Sequence, residues 1–176
     1  MQQRVLGVLE QMCGLDLTTA PRGVDGCSIP TFAVPLGNLS LAFARFADPG
    51  DEVPARRSDA IRCIHAALAA APEMIAGTGR YCSEIIRATQ GKVLVKTGAE
   101  GIFCGAVPSL GLSIALKCED GAKRASEAMM TAILMRLGAI DDATLQSIDQ
   151  ALPQPIFNRN LRVVGEMRTT AVLRAE

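Results

Sequence analysis

The chain has 176 residues, of which 49% are hydrophobic and 20% charged, and its 18 basic residues balance 18 acidic ones. This length and apolar content suit a single domain, or a large part of one, with a buried core, and they exclude a disordered or low-complexity polymer. Zero net charge argues against a nucleic-acid or membrane-surface partner, since both select positive charge.

The amino-terminal sequence MQQRVLGVLEQMCG lacks a basic segment followed by a long apolar stretch, so it predicts no signal peptide. The apolar runs are short, and none approaches the roughly 18 residues of a membrane span. We therefore expect a soluble, cytoplasmic protein with no membrane partner. Well-separated cysteines in that reducing compartment favour free thiols, mostly packed as small apolar side chains. They are Cys13, Cys27, Cys63, Cys82, Cys104 and Cys118.

Helical periodicity dominates the first half of the chain. A first helix is predicted to end at Gly14, and residues 15–35, which include three prolines, are predicted to form a loop. Residues 72–79 are predicted to form a second loop that contains two glycines. Four helices are predicted, over Arg4–Cys13, Leu36–Phe46, Ser58–Ala71 and Arg80–Thr89. Ser58 and Asp59 would lie in the first turn of the third helix, whose end is placed only approximately at Ala71.

The pattern then changes to short β-rich runs separated by turns, at 92–95, 102–107 and 112–117. These runs predict an antiparallel meander of three strands. A helix over 122–137 follows, with Gly138 as its left-handed cap and a short helix after it that extends towards Pro153. The last strand is predicted around 163–168. The apolar face of the 122–137 helix is predicted to consist of Ala125, Ala128, Met129, Ala132, Ile133 and Leu137. Segregated helices and strands without βαβ units indicate the α+β class.

Metal and phosphate motifs are weak in this sequence. His65 is the single histidine, and its place within a predicted helix favours a partly buried or surface role over catalysis. Gly77–Thr78–Gly79 precedes a helix, but its spacing matches neither a P-loop nor a dinucleotide fingerprint. The alternative is that Gly77–Thr78–Gly79 is simply a turn that allows the next helix to begin.

The informative motif is Lys96–Thr97–Gly98, at the end of a predicted strand. In Ser-x-x-Lys hydrolases of the penicillin-recognising type, a Lys-Thr-Gly on an edge strand lines the active site. A lysine there supplies positive charge and a proton relay, and the glycine lets substrate approach the strand. The alternative is an ordinary strand end followed by a turn. Strand alternation predicts that Lys96 faces a cleft while Val95 packs into the core.

Four segments together resemble the rhizobial-type L-asparaginase family, also called asparaginase II. They are GVDGCSIPTFAVPLGNLSLAFARF, APEMIAGTGR, KTGAEGIFCGAVPSLGLSIALKCEDGAKRA and VVGEMR. The resemblance implies part of a serine β-lactamase-like fold and hydrolysis of L-asparagine to L-aspartate and ammonia. It implies catalytic roles for Lys96 and Thr97, substrate binding at Asp25 and Gly98, and Cys27 as a ligand of a zinc ion near the catalytic centre.

The sequence departs from the family pattern in one important respect. No serine and no cysteine is followed three residues later by lysine, so the Ser-x-x-Lys nucleophile and the Cys-x-x-Lys zinc ligands have no match. The chain therefore resembles roughly the C-terminal half of the family's chain. We expect it to be inactive alone and to bind zinc weakly or not at all without the rest of the protein, because catalytic zinc sites use three protein ligands.

Two further expectations follow from this interpretation. Apolar surface left uncovered predicts self-association, as a homodimer or larger assembly, or pairing with a missing N-terminal half. Cys27 is expected to be more exposed than Cys63, Cys82, Cys104 and Cys118, which lie in apolar periodic runs. Two alternatives to an asparaginase polypeptide are a non-catalytic remnant that folds and self-associates, and an unrelated α+β binding module.

Overall fold

The computed structural model describes residues 1–148 and 153–173. It confirms the α+β class, with helices and small antiparallel sheets. The principal helices begin and end within a few residues of the predicted positions. In chain order the helices are α1 (Gln2–Cys13), α2 (Leu36–Ala47), α3 (Ala55–Ala70), α4 (Glu73–Ala76), α5 (Tyr81–Ala88), α6 (Lys123–Arg136) and α7 (Asp142–Gln146).

The strands form three separate antiparallel sheets among the described residues. The central sheet is the predicted meander, in the order β3-β4-β5, so β3 and β5 are its edges. The other two sheets are two-stranded hairpins. The strands are β1 (Arg22–Val24), β2 (Pro30–Phe32), β3 (Leu94–Thr97), β4 (Ile102–Val107), β5 (Leu112–Lys117), β6 (Gln154–Phe157) and β7 (Val163–Met167).

Helices cover both faces of the central sheet. The hydroxyl oxygens of Ser40 in α2 and Ser113 in β5 lie 3.0 Å apart, and Ser113 is paired with Ala106 across the ladder. On the opposite face, a Cβ added to Gly105 would lie 3.4 Å from the sulfur of Met130 in α6. Strand β4 is therefore buried on both sides, which explains its continuous apolar run.

The buried face of α6 differs from the predicted one. Met130 and Leu134 are fully buried, together with the polar Glu127 and Thr131, whereas Leu137 is exposed. Of the predicted face, Ala128 and Ala132 are buried and Ala125, Met129 and Ile133 pack against the core. The buried face is wider than predicted because it also includes polar residues, which the prediction assigned to the surface. These polar groups are buried because each has a partner: Glu127 pairs with Lys123, and the Thr131 hydroxyl donates to the Glu127 carbonyl.

Helix α2 also caps the end of α1. Gly14 has φ 61° and ends α1 as predicted. The Arg45 guanidinium donates to the carbonyls of Gln11 at 2.7 Å and Met12 at 3.1 Å. The Asn38 side chain donates to the carbonyl of Cys13 at 3.0 Å. Side chains of α2 thus satisfy carbonyls that the helix itself leaves without partners.

Several predicted loops contain regular structure. The stretch 15–35 holds the β1–β2 hairpin, and the loop 72–79 contains the single turn α4. The predicted last strand is β7, and it pairs with β6, which was not predicted. These elements are short and mostly exposed, so their sequences carry little periodicity. The predicted extension of α7 towards Pro153 includes residues 149–152, which lie outside the described residues. Among the described residues, no helix is long and apolar enough to cross a membrane.

Candidate functional site

The Lys-Thr-Gly motif lies at the end of an edge strand of the central sheet. Lys96 and Thr97 are the last residues of β3, and Gly98 begins the turn to β4. The register pairs Lys96 with Cys104 and Thr97 with Phe103. Successive side chains of a strand point to opposite faces, so Lys96 belongs to the α2 face and Thr97 to the α6 face.

Lys96 lines an apolar pocket between the sheet and helices α1 to α4, with a volume of about 310 Å³. We call this cavity the Lys96 pocket. Phe43 and Phe46 of α2 form part of its wall, and Lys96 is the single charged residue among the described residues that line it. The Lys96 ammonium is exposed and donates to the carbonyl of Thr97 at 2.7 Å. Val95, its neighbour, is 2% exposed and belongs to the core.

The backbone of Thr97 is hydrogen-bonded to a thiol of helix α5. Its amide donates to the sulfur of Cys82 in α5 at 3.3 Å. Burial raises the pKa of the Cys82 thiol, against the opposing effects of the Thr97 amide and the Lys96 charge. Cys82 therefore stays protonated and neutral at neutral pH. The last residue of β3 is thus fixed to α5 as well as to β4.

The turn after the motif needs small residues. A Cβ on Gly98 would lie 3.1 Å from Ile102, to whose carbonyl the Gly98 amide donates at 2.8 Å. The Lys117 ammonium at the end of β5 donates to the carbonyl of Glu100, which has φ 53°. It also donates to the carbonyl of Cys118 at 3.0 Å. These bonds fasten the β3–β4 turn to the end of β5.

A buried carboxylate next to this strand end was missed by the sequence analysis. Glu127 of α6 is 8% exposed and pairs with Lys123 at 3.1 Å, and its charge acts on the Cys82 thiol. The hydroxyls of Tyr81 and Thr131 lie 2.7 Å apart beside it. The signal in the sequence was the Lys123–Glu127 spacing of four, which places both side chains on one helix face.

Asp25 and Cys27 lie in the turn between β1 and β2. The Asp25 carboxylate accepts from the amides of Cys27 at 2.8 Å and Ile29 at 3.0 Å, and Ser28 adopts φ 63°. The turn is exposed. Across the described residues, no hydrogen bond or ion pair joins this turn to Lys96, Thr97 or Gly98.

The described residues do not form a zinc site around Cys27. No group of three His, Cys, Asp or Glu side chains among them could hold a metal ion, and the Asp25 carboxylate is already bonded to two backbone amides. Cys27 is exposed, whereas Cys13, Cys82, Cys104 and Cys118 are buried. Cys63 was predicted to be packed and is instead exposed. The helical run that contains it is apolar on more than one side, so periodicity did not identify its solvent face.

His65 is partly buried in α3, as the sequence indicated. Its ring packs edge-on against Phe46, with centroids 4.6 Å apart. Burial lowers the pKa of the imidazole, so it is neutral at neutral pH. No nucleophilic side chain forms a hydrogen bond with this ring among the described residues, and its Nε2 has no partner there. These contacts give His65 a packing role.

The fold and this strand end define an α+β protein with a lysine-bearing site at one edge of its central sheet. The arrangement presents a fixed positive charge next to a small residue, which suits the binding of a carbonyl or carboxylate group. The chain belongs to the L-asparaginase II family, whose model matches residues 1–169. This match confirms the family predicted from the sequence. No curated protein matches the chain significantly.

Proposed function

We propose that this chain is the polypeptide of an amidohydrolase that converts L-asparagine to L-aspartate and ammonia. The observation that carries the proposal is a Lys-Thr-Gly motif at the end of an edge strand, in a chain that belongs to the L-asparaginase II family. The Lys96 ammonium binds the carboxylate of asparagine or stabilises negative charge as its amide carbon is attacked. Gly98 lets the substrate approach the strand, Thr97 orients it, and Asp25 contributes to substrate binding.

The 176 residues alone are proposed to be inactive. Amide hydrolysis by the covalent route needs an activated nucleophile within hydrogen-bond reach of its base. No serine of the chain has the Ser-x-x-Lys spacing, and Ser83, which is adjacent to Cys82, is fully buried. A polypeptide with Ser-x-x-Lys and Cys-x-x-Lys elements is therefore the proposed partner.

An ammonia-release assay tests both statements. The purified chain is expected to release ammonia from asparagine at the buffer rate. Addition of a family polypeptide that carries the two missing elements is expected to produce hydrolysis, and Lys96→Ala is expected to abolish it. Lys92→Ala, an exposed lysine in the turn before β3, is the matched control. Hydrolysis by the pure chain above background would refute the inactivity, and equal rates for Lys96→Ala and Lys92→Ala would refute the role of Lys96.

Zinc is proposed as a group of the assembled protein that Cys27 would help to hold. One thiolate does not bind zinc tightly, since catalytic sites use three protein ligands and structural sites four. Metal analysis of the purified chain is therefore expected to show far less than one zinc per chain. A stoichiometric zinc content that survives dialysis would contradict this proposal.

The second candidate is a non-catalytic module that folds and self-associates. The observation that favours it is the β6–β7 hairpin, where Ile156, Phe157, Val163 and Val164 are all exposed. A chain that forms a stable homo-oligomer and remains inactive with every family polypeptide supplied would support this function over the first.

A further inference from the structure

A second cleft lies between α1 and α3, next to the Lys96 pocket. Its volume is about 670 Å³, within the range of roughly 300–1,000 Å³ that small-molecule sites occupy. Three arginines line it: Arg4 from α1, and Arg56 and Arg57 from the first turn of α3. We call it the arginine cleft.

The three guanidinium groups have no acidic partner among the described residues. No Asp or Glu is among the described residues that line the cleft, and none of the ion pairs between described residues includes Arg4, Arg56 or Arg57. Two other arginines nearby are paired, Arg45 with Glu52 at 3.0 Å and Arg62 with Asp59 at 2.5 Å. The arginine cleft therefore holds a concentration of unneutralised positive charge in a chain of zero net charge.

One guanidinium nitrogen of this group is buried, although the Arg57 side chain as a whole is partly exposed. Nη1 of Arg57 is inaccessible to solvent and has no hydrogen-bond partner in the part of the chain that the structure describes. A buried cationic donor without an acceptor is unfavourable, because it has lost its hydration without replacement. An oxyanion bound by Arg4, Arg56 and the accessible part of the Arg57 guanidinium would offset this charge, and the planar guanidinium fork matches carboxylate and phosphate oxygens.

The rest of the cleft is apolar. Its wall includes Met12, Phe46 and Ile64, and the same three residues line the Lys96 pocket. Ile64 of α3 is 47% exposed, so an apolar surface runs from the arginines towards the sheet. A ligand that satisfied the arginines alone would leave this surface in contact with water.

We propose that the arginine cleft binds an amphipathic organic anion, with a carboxylate or phosphate head on Arg4, Arg56 and Arg57 and an alkyl body along Met12, Phe46 and Ile64. The head neutralises the three guanidinium groups that line the cleft, and the alkyl body removes the shared apolar wall from water. The cleft is concave and of small-molecule size, which favours such a ligand over an acidic segment of another protein. The proposal does not depend on asparagine hydrolysis, since none of the residues assigned to that reaction lines the cleft.

The test is calorimetric titration of the full chain with decanoate and with decyl phosphate, each below its micelle concentration. Saturable binding at one site per chain is expected for at least one of the two. Decanol has the apolar body without the charge, and inorganic phosphate has the charge without the body. Each is expected to bind at least about tenfold more weakly, since one charge-assisted hydrogen bond or a few buried methylenes contribute that much.

Variants of the three arginines test whether the ligand binds in the arginine cleft. Arg57→Met keeps an apolar stem and is expected to weaken binding of the better ligand by at least about tenfold. The double variant Arg4→Met/Arg56→Met changes exposed side chains, so it tests the site even if Arg57→Met fails to fold. The matched control is Arg162→Met, an exposed arginine in the β6–β7 turn, which is expected to bind like the unmodified chain.

Three results would overturn the proposal. The first is absence of saturable binding by both decyl anions. The second is binding of decyltrimethylammonium as tight as that of decanoate, which would indicate adsorption of the alkyl chain alone. The third is unchanged affinity in the arginine variants relative to Arg162→Met. Binding of an acidic amphipathic peptide where both decyl anions fail would assign the cleft to a protein partner instead.

Discussion

The amide of Thr97 donates to the buried sulfur of Cys82, and this bond connects the end of β3 to α5. Replacement of Cys82 by alanine would remove the acceptor and leave a small void beneath the Lys-Thr-Gly motif. We expect Cys82→Ala to lower the free energy of unfolding by about 1–3 kcal/mol, the usual range for a buried donor without an acceptor. Urea denaturation followed by circular dichroism measures the change.

Cys63→Ala is the matched control for this experiment. Cys63 is also a helical cysteine, but it is exposed, so its replacement is expected to change the free energy of unfolding by less than about 0.5 kcal/mol. Equal effects of the two substitutions would show that the Cys82–Thr97 bond contributes nothing to stability.

The six thiols are expected to react with a disulfide reagent in two classes. Cys27 and Cys63 are exposed and should react quickly, while Cys13, Cys82, Cys104 and Cys118 should react slowly. The thiolate is the reactive form, and burial raises the pKa of Cys104 to about 11, so about a thousandth of it is ionised at pH 8. Labelling at pH 8 followed by peptide mass spectrometry gives each rate. If Cys27 reacted no faster than Cys104 or Cys118, the exposed position of Cys27 in the β1–β2 turn would be contradicted.

At the scale of elements, the β3–β4 turn depends on close approach between backbones. Gly101 has φ +77°, and a Cβ there would lie 3.0 Å from both the Cβ and the carbonyl oxygen of Cys118. We expect Gly101→Ala to lower the free energy of unfolding by about 1–3 kcal/mol, because both the backbone conformation and the contact disfavour a side chain. Thermal or urea unfolding provides the measurement.

Gly7→Ala makes the opposite change in the same assay. Gly7 lies within α1, and an added Cβ would meet nothing within 4 Å. Alanine is expected to stabilise the chain there by about 0.5–1 kcal/mol, since it reduces the backbone entropy lost on helix formation. A stabilising Gly101→Ala, or a destabilising Gly7→Ala, would contradict the described geometry at that position.

At the scale of the whole molecule, apolar surface remains uncovered on the β6–β7 hairpin. Leu161 is 81% exposed, Val163 63% and Val164 62%. Several exposed apolar side chains on one hairpin promote association. We expect sedimentation velocity to show a concentration-dependent homodimer or larger assembly. The double variant Phe157→Lys/Val163→Lys, which changes two paired residues of the hairpin, is expected to shift the equilibrium towards monomer.

Met74→Lys is the control for the hairpin variant. Met74 is 81% exposed but belongs to α4, so its replacement is expected to leave hairpin-mediated association unchanged. A monodisperse monomer of the unmodified chain at high concentration would refute self-association. An equal loss of association in Met74→Lys would place the interface elsewhere.

Local sequence determined the elements whose signals are strong and continuous. The periodicity of α2, the glycine at the end of α1 and the β-branched run before Lys96 predicted helix, cap and strand, because each depends on neighbours within a few residues. The three-strand meander was also predictable, since short turns between strands favour antiparallel neighbours. The same local motifs were sufficient to indicate the family.

Tertiary structure alone decided which residues are buried and which groups meet. Glu127 and Thr131 lie on the buried face of α6 because their polar groups have partners in Lys123, Tyr81 and the helix backbone. Thr131 and Tyr81 are 50 residues apart in the chain. The support of Thr97 by Cys82 and the grouping of Arg4 with Arg57 arise in the same way. Such contacts depend on how distant helices pack, and a polar side chain is exposed or buried according to whether packing supplies its partner.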